Sequence, residues 1–149
     1  MTGTPLDAVA EDVYAEFGAL VLQAHFSAQI ALALGIPGPD ELIRAGRGGV
    51  TFRSGGVDHV ARMRVEAWSS RPARPSGAWE EQAEGVLVVD SAELRLASGT
   101  AWASSTSLRL PAPDAYSVLV VVSGRSNVPS YPPEPPRGVK RWHVQLWPA

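Results

Sequence analysis

The 149-residue chain has no cysteine, a single lysine (Lys140) and only three histidines. Without cysteine there can be no disulfide, no thiolate catalysis and no cysteine-ligated zinc, and a reducing compartment fits. Twelve of the 13 basic residues are arginine, a skew that fits the coding bias of a GC-rich genome better than a binding preference. Fifteen acidic residues leave a formal charge of -2, so the broad positive field needed to hold a phosphate backbone is missing. Direct binding of nucleic acid is therefore not expected. Long apolar runs are missing too: residues 17–36 are interrupted by Gln23, His25, Ser27 and Gln29, which argues against a membrane span. The opening MTGTPLDAVAED has no basic region of the kind a signal peptide carries, so a cytoplasmic location is expected.

Turns and short alternating segments make up most of the rest. At this length one domain over residues 1–149 is expected, large enough to bury roughly two thirds of its extended surface. VARMRVEAW sets Ala61, Met63, Val65 and Ala67 against Arg62, Arg64, Glu66 and Trp68, the mark of an antiparallel strand with one wet face. Short strands are also predicted at 50–53, at 79–90 (at least from Val86), through Ala92, Leu94 and Leu96, and at 106–110. YSVLVVVS, 116–123, is apolar on both faces and reads as a central strand. SSRPARPSG and the five-proline VPSYPPEPPRG read as loops, the second with edge strand as its alternative. In the closing RWHVQLWPA, Trp142, Val144 and Leu146 share one face and His143, Gln145 and Trp147 the other. Burying the first set ties the terminus into the core, a contribution of several kcal/mol by area.

The N-terminal third is ambiguous. Leu6, Val9, Val13, Phe17 and Leu20 recur at helical spacings, whereas valine, tyrosine and phenylalanine around Gly18 favour a strand at 12–22. SAQIALALG then reads as a short helix stopped by GIPGP, and Asp40–Ala45 as a loop or a single helical turn. The sum is an all-β fold: a two-sheet antiparallel β-sandwich of seven to eight strands with at most one or two short helices. The competing architecture is α+β with a long N-terminal helix.

Chemistry is sparse. His25, His59 and His143 match no metal-ligand spacing, and no cofactor site is expected. Ser104, Ser105 and Ser107 lack a GxSxG or SxxK setting. Neighbouring acids such as Glu80-Glu81 and Asp40-Glu41 point to opposite faces if they lie on strands, so adjacency builds no acid/base pair. GRGGVTFRSGG lacks the spacing of a phosphate loop and reads as two turns around a strand. No catalytic residue is assigned, and a non-enzymatic protein is expected. What remains is recognition. Trp68, Trp147 and Tyr131 are expected on exposed faces or loops, with His143 between two tryptophans on the outer face and Glu80, Glu81, Glu84, Asp90 and Glu93 forming an acidic patch beside them.

The stretch LRLPAPDAYSVLVVVSGR, followed by a linker and RWHVQLWPA, resembles a pattern in uncharacterised small actinobacterial β-sandwich proteins. These in turn are similar to the competence-system inhibitor of the DNA-entry nuclease. In the pattern Leu110-Pro111 is the turn and Tyr116 the tyrosine before the strand. The segment 12–22 would be the first strand, and GGVTF and VARMRVEAW the next two; SAQIALALGIPGP has no counterpart. The resemblance implies a protein-binding role, as inhibitor or immunity factor of a nuclease or toxin. Stacking of a carbohydrate or small ligand on Trp68, Trp147 or Tyr131, and a homo-oligomeric structural role, are the alternatives.

Overall fold

A computed structural model describes residues 3–15, 19–54, 59–98, 103–124 and 137–149. Ten strands occur among them: β1 (Asp7–Ala15), β2 (Ala19–Ala24), β3 (Ile43–Gly46), β4 (Gly49–Arg53), β5 (His59–Ala67), β6 (Glu81–Val88), β7 (Glu93–Ser98), β8 (Ala103–Arg109), β9 (Ala115–Ser123) and β10 (Arg137–Pro148). They form two five-stranded sheets, ordered β1-β5-β10-β9-β6 and β3-β4-β2-β7-β8. A 3-10 turn, Ala31–Leu34, is the one helical element in the described residues. The fold is the expected all-β sandwich, with ten strands rather than seven or eight. It is antiparallel except that β10 runs parallel to β5. A parallel pair needs a long crossover, and here β6 to β9 lie between the two strands in sequence.

The closing segment is more than tied down: β10 occupies the centre of its sheet, between β5 and β9. Trp142, Val144 and Leu146 point into the core. Trp142 bridges the sheets, its ring edge-on to Phe52 at 5.4 Å and its indole N–H donating to Ser54 Oγ at 3.1 Å. Met63 and Val65 of β5, Val118 and Val120 of β9, and Leu20 and Leu22 of β2 complete this layer. Tyr116 pins the turn before β9: its hydroxyl donates to the Ala112 carbonyl (2.6 Å) and accepts from the Ala112 N–H (3.3 Å).

The N-terminal third departs from expectation. The single strand at 12–22 is two strands, β1 and β2, in different sheets. Val13 and Ala15 face the core, and so do Leu20 and Leu22, an odd number of positions further along. That break in parity marks the crossing between sheets. The helical reading fails because a spacing of four, as between Val9 and Val13, also returns to the same face of a strand. Residues 43–45, expected in a loop or turn, belong to β3, which pairs with β4 through the two-residue Arg47-Gly48 turn. The glycines there are required: at Gly49 (φ 145°) a Cβ would fall on the Leu22 carbonyl oxygen.

Candidate functional site

The outer face of the β1-β5-β10-β9-β6 sheet is roofed. Residues 69–80 run across it between two backbone anchors, Trp68 N–H to Leu146 O (2.7 Å) and Glu80 N–H to Val122 O (2.9 Å). Gln145 Nε2 donates to Ala73 O (3.0 Å), Trp79 sets its ring edge-on to His143 at 6.2 Å, and Arg71 lies 5.0 Å over the Trp147 ring. The cover buries Leu119 and Val121 although both point away from the core.

Under the roof two donors and a histidine converge on Glu66. Arg64 Nε lies at 2.8 Å, the Trp68 indole N–H at 3.1 Å and His143 Nε2 at 2.9 Å. Burial pushes the Glu66 carboxyl up, but hydrogen bonds from His143 and Arg64, with the charge of His143 and the Trp68 N–H, bring it below its ordinary value. The expectation of exposed binding side chains is corrected here. Trp147 is only 8% exposed, His143 is largely covered, and Trp68 is half-buried. The reason is β10's central position, which puts its outward side chains under the loop. Tyr131 lies outside the described residues. The Trp147 ring is packed beneath Arg71, which covers the face on which a sugar would stack.

The acidic expectation holds only in part, because Glu93 lies on β7 in the other sheet, beside His25 and Arg95 and away from the other acids. Glu80, Glu81 and Glu84 are exposed. Glu80 Oε1 accepts the Gly124 N–H. Glu81 and Glu84 line a groove of about 530 Å³ where the outermost strands of the two sheets, β3 and β6, come together. Asp40 and Glu41 line its other wall with Leu42 and Ile43. Arg44 pairs with Glu41 at 2.9 Å and Arg71 with Glu84 at 2.6 Å. The Arg44 hydrogen bond, aided by the Gly38 N–H, lowers the Glu41 carboxyl below its ordinary value. Adjacency in sequence did not unite these acids; the fold did, by closing the sandwich along this seam.

The other outer face carries a feature the sequence analysis missed. The 3-10 turn lies over β2 and β4, and beside it opens a recess of about 270 Å³. Phe26 forms part of its wall with φ 58°, a backbone region rarely adopted by aromatic residues, and its side chain is 94% exposed. Ile30 is 63% exposed. The available signal was SAQIALALGIPGP, which fitted neither strand alternation nor the family pattern.

His25 and His143 do not converge as members of a catalytic group would. His25 Nε2 faces Glu93 at 3.8 Å on one sheet, and His143 faces Glu66 on the other. The side chain of His59 is outside the described set. Among the described residues no three or more of His, Asp and Glu are grouped to hold a metal ion, and no helix is long and apolar enough to cross a membrane.

No family model matches the sequence, and no curated protein matches it. Two solved structures share its fold. One is described as "Crocagin biosynthetic gene J", with 14% identity and a TM-score of 0.62 over 95% of this chain and 96% of that one. The other is ComJ from Bacillus subtilis, described as an inhibitor of the DNA degrading activity of NucA, with 8% identity and a TM-score of 0.61 over 99% and 100%.

Proposed function

We propose that the protein is a non-enzymatic, protein-binding β-sandwich that acts in the cytoplasm as an inhibitor or immunity factor of a nuclease or toxin. The observation that carries this reading is the carboxylate groove along the β3–β6 seam, where Asp40, Glu41, Glu81 and Glu84 meet on an open edge. A nuclease cleft is lined with cations to hold phosphates, and the exposed carboxylates of this edge can meet those cations in place of nucleic acid, with Glu41 and Glu84 exchanging Arg44 and Arg71 for them. The likeness of fold to ComJ, with almost the whole of both chains covered, supports the same reading.

In this proposal Glu81 and Glu84 face the partner, and Glu80 orders the start of β6 through Gly124. Trp68, His143 and Trp147 act from beneath, by holding Arg71 and the covering loop in place. The mechanism is occlusion and needs no chemistry from the inhibitor. The test is native co-purification with mass measurement, followed by assay of the captured protein. A nuclease or toxin that binds in fixed stoichiometry and loses activity in proportion to added protein is the expected result. A captured protein whose activity is unchanged at saturation, or a chain that stays alone, contradicts the proposal.

A further inference from the structure

We infer that the recess beside the 3-10 turn is a binding site for a small aromatic carboxylate, with the ring held among Phe26, Ile30 and Leu32 and the anionic group at His25 and Arg95. This site lies on the opposite sheet from the covering loop and does not depend on the acidic groove.

Three observations carry the inference. The first is shape and lining. Val21, Ala24, Phe26, Ile30, Leu32 and Ala97 give the recess apolar walls and a volume of about 270 Å³. A cavity of about 150 Å³ accepts benzene, so this one has room for a one- or two-ring body. The His25 and Phe26 rings lie 3.9 Å apart and form an aromatic wall.

The second is charge. The ionisable residues that line the recess are His25 and Arg95; no carboxylate lines it among the described residues. Glu93 stands behind them at 3.8 Å from His25 Nε2 and 3.6 Å from Arg95 Nη2, and Arg109 approaches the same carboxylate at 3.8 Å. Arg95 Nε also donates to Ser107 Oγ at 3.0 Å, and with two arginines sharing the single Glu93 carboxylate the net charge beside the recess is positive, which suits an anion.

The third is rigidity spent on an unfavourable conformation. Gln23 clamps the turn with its whole amide: Nε2 donates to Ala24 O and Gln29 O, both at 2.8 Å, and Oε1 accepts from Ala31 N–H at 2.7 Å. The Gln29 N–H is held by Ser27 Oγ at 2.9 Å, and Gly48 packs so close to the Gln29 carbonyl that no Cβ would fit. The turn is thus over-determined, and what it fixes is Phe26 in a left-handed backbone with its ring in water. Strain maintained this way marks a preformed site.

The experiment titrates the isotope-labelled full chain with indole-3-acetate and with its neutral amide, following backbone amides by NMR. Saturable shifts at Val21, His25, Phe26, Leu32 and Ala97 are expected, with the acid binding about tenfold tighter than the amide. Arg95→Gln should erase that difference, and Leu32→Trp should fill the recess and abolish both titrations. Phe26→Gly should raise the melting temperature while weakening both ligands, a combination that damage to the fold cannot produce. The E81K/E84K double variant should titrate like wild type, which separates this site from the proposed function. Absence of saturable shifts, equal affinity for acid and amide, or unchanged binding to Leu32→Trp would overturn the inference. A Phe26→Gly variant that loses a protein partner while wild type binds neither small molecule would overturn it in favour of a protein contact.

Discussion

The two outer faces of the sandwich are built from similar alternating strands and end in different states. On the β1-β5-β10-β9-β6 sheet, residues 69–80 lie flat over a polar network, and even outward-facing Val121 is fully buried. On the β3-β4-β2-β7-β8 sheet, a 3-10 turn covers part of the surface and leaves an apolar recess with Phe26 at its rim. Alternation along a strand tells which side chains leave the core. It does not tell whether they then meet water or a second cover. That depends on where the proline-rich connections go, which is a tertiary matter.

Substitutions separate the two faces, and the core they share sets the scale. Trp142→Ala removes the ring that joins the sheets and its bond to Ser54; a loss of about 3–5 kcal/mol is expected, read as a drop in the urea midpoint. On the roofed face, Glu66→Gln should cost about 1.5–3 kcal/mol at neutral pH, because Arg64 and Trp68 lose a charged acceptor and His143 loses the carboxylate it faces.

The pH dependence follows from the direction of the Glu66 shift. A carboxyl depressed in the folded state contributes its stability above the unfolded value, here 4.5, and loses it as pH falls through the folded value. Denaturation curves at pH 7 and in acid should therefore show the wild type and Glu66→Gln converging as pH drops. A gap that persists at low pH would mean that the network is not what holds the roof.

How much of this was legible in the sequence differs along the chain. The strands from β5 onward could be read, because Met63 and Val65 against Arg62 and Arg64, or Leu94 and Leu96 against Glu93 and Arg95, alternate without interruption. The place of β10 in the core could be read from Trp142, Val144 and Leu146; its central, parallel position could not, because strand order is not written in local pattern. Residues 19–22 were legible as strand but not as a separate one, because Ala19–Leu22 are buried on both faces and no alternation shows where β2 begins. β3 was hidden because it is four residues long and half-buried throughout. For the candidate surface, Glu81 and Glu84 were legible as members of an acidic patch, but not as residues of an edge strand. Their meeting with Asp40 and Glu41 needed the fold, and so did the covering of His143 and Trp147.

The open face should respond in the opposite direction from the roofed one. Phe26→Gly removes a left-handed backbone penalty of about 1–2 kcal/mol and adds the chain entropy of glycine, so a net gain of about 0.5–1 kcal/mol is expected by chemical denaturation. A loss instead would place the ring in a packing role and narrow the difference between the faces. Smallest of all on stability is the acidic seam. E81K/E84K changes exposed side chains and should shift stability by no more than about 0.5 kcal/mol, with the Arg71 pairing to Glu84 exchanged for solvent.

That same double variant gives the sharpest measurement, because a nearly unchanged fold isolates the surface. Titration calorimetry of the co-purified partner against wild type and E81K/E84K should show binding weakened about 100-fold by the reversed charges. Equal affinity for the two proteins, with the variant folded, would contradict the assignment of the β3–β6 groove as the binding surface.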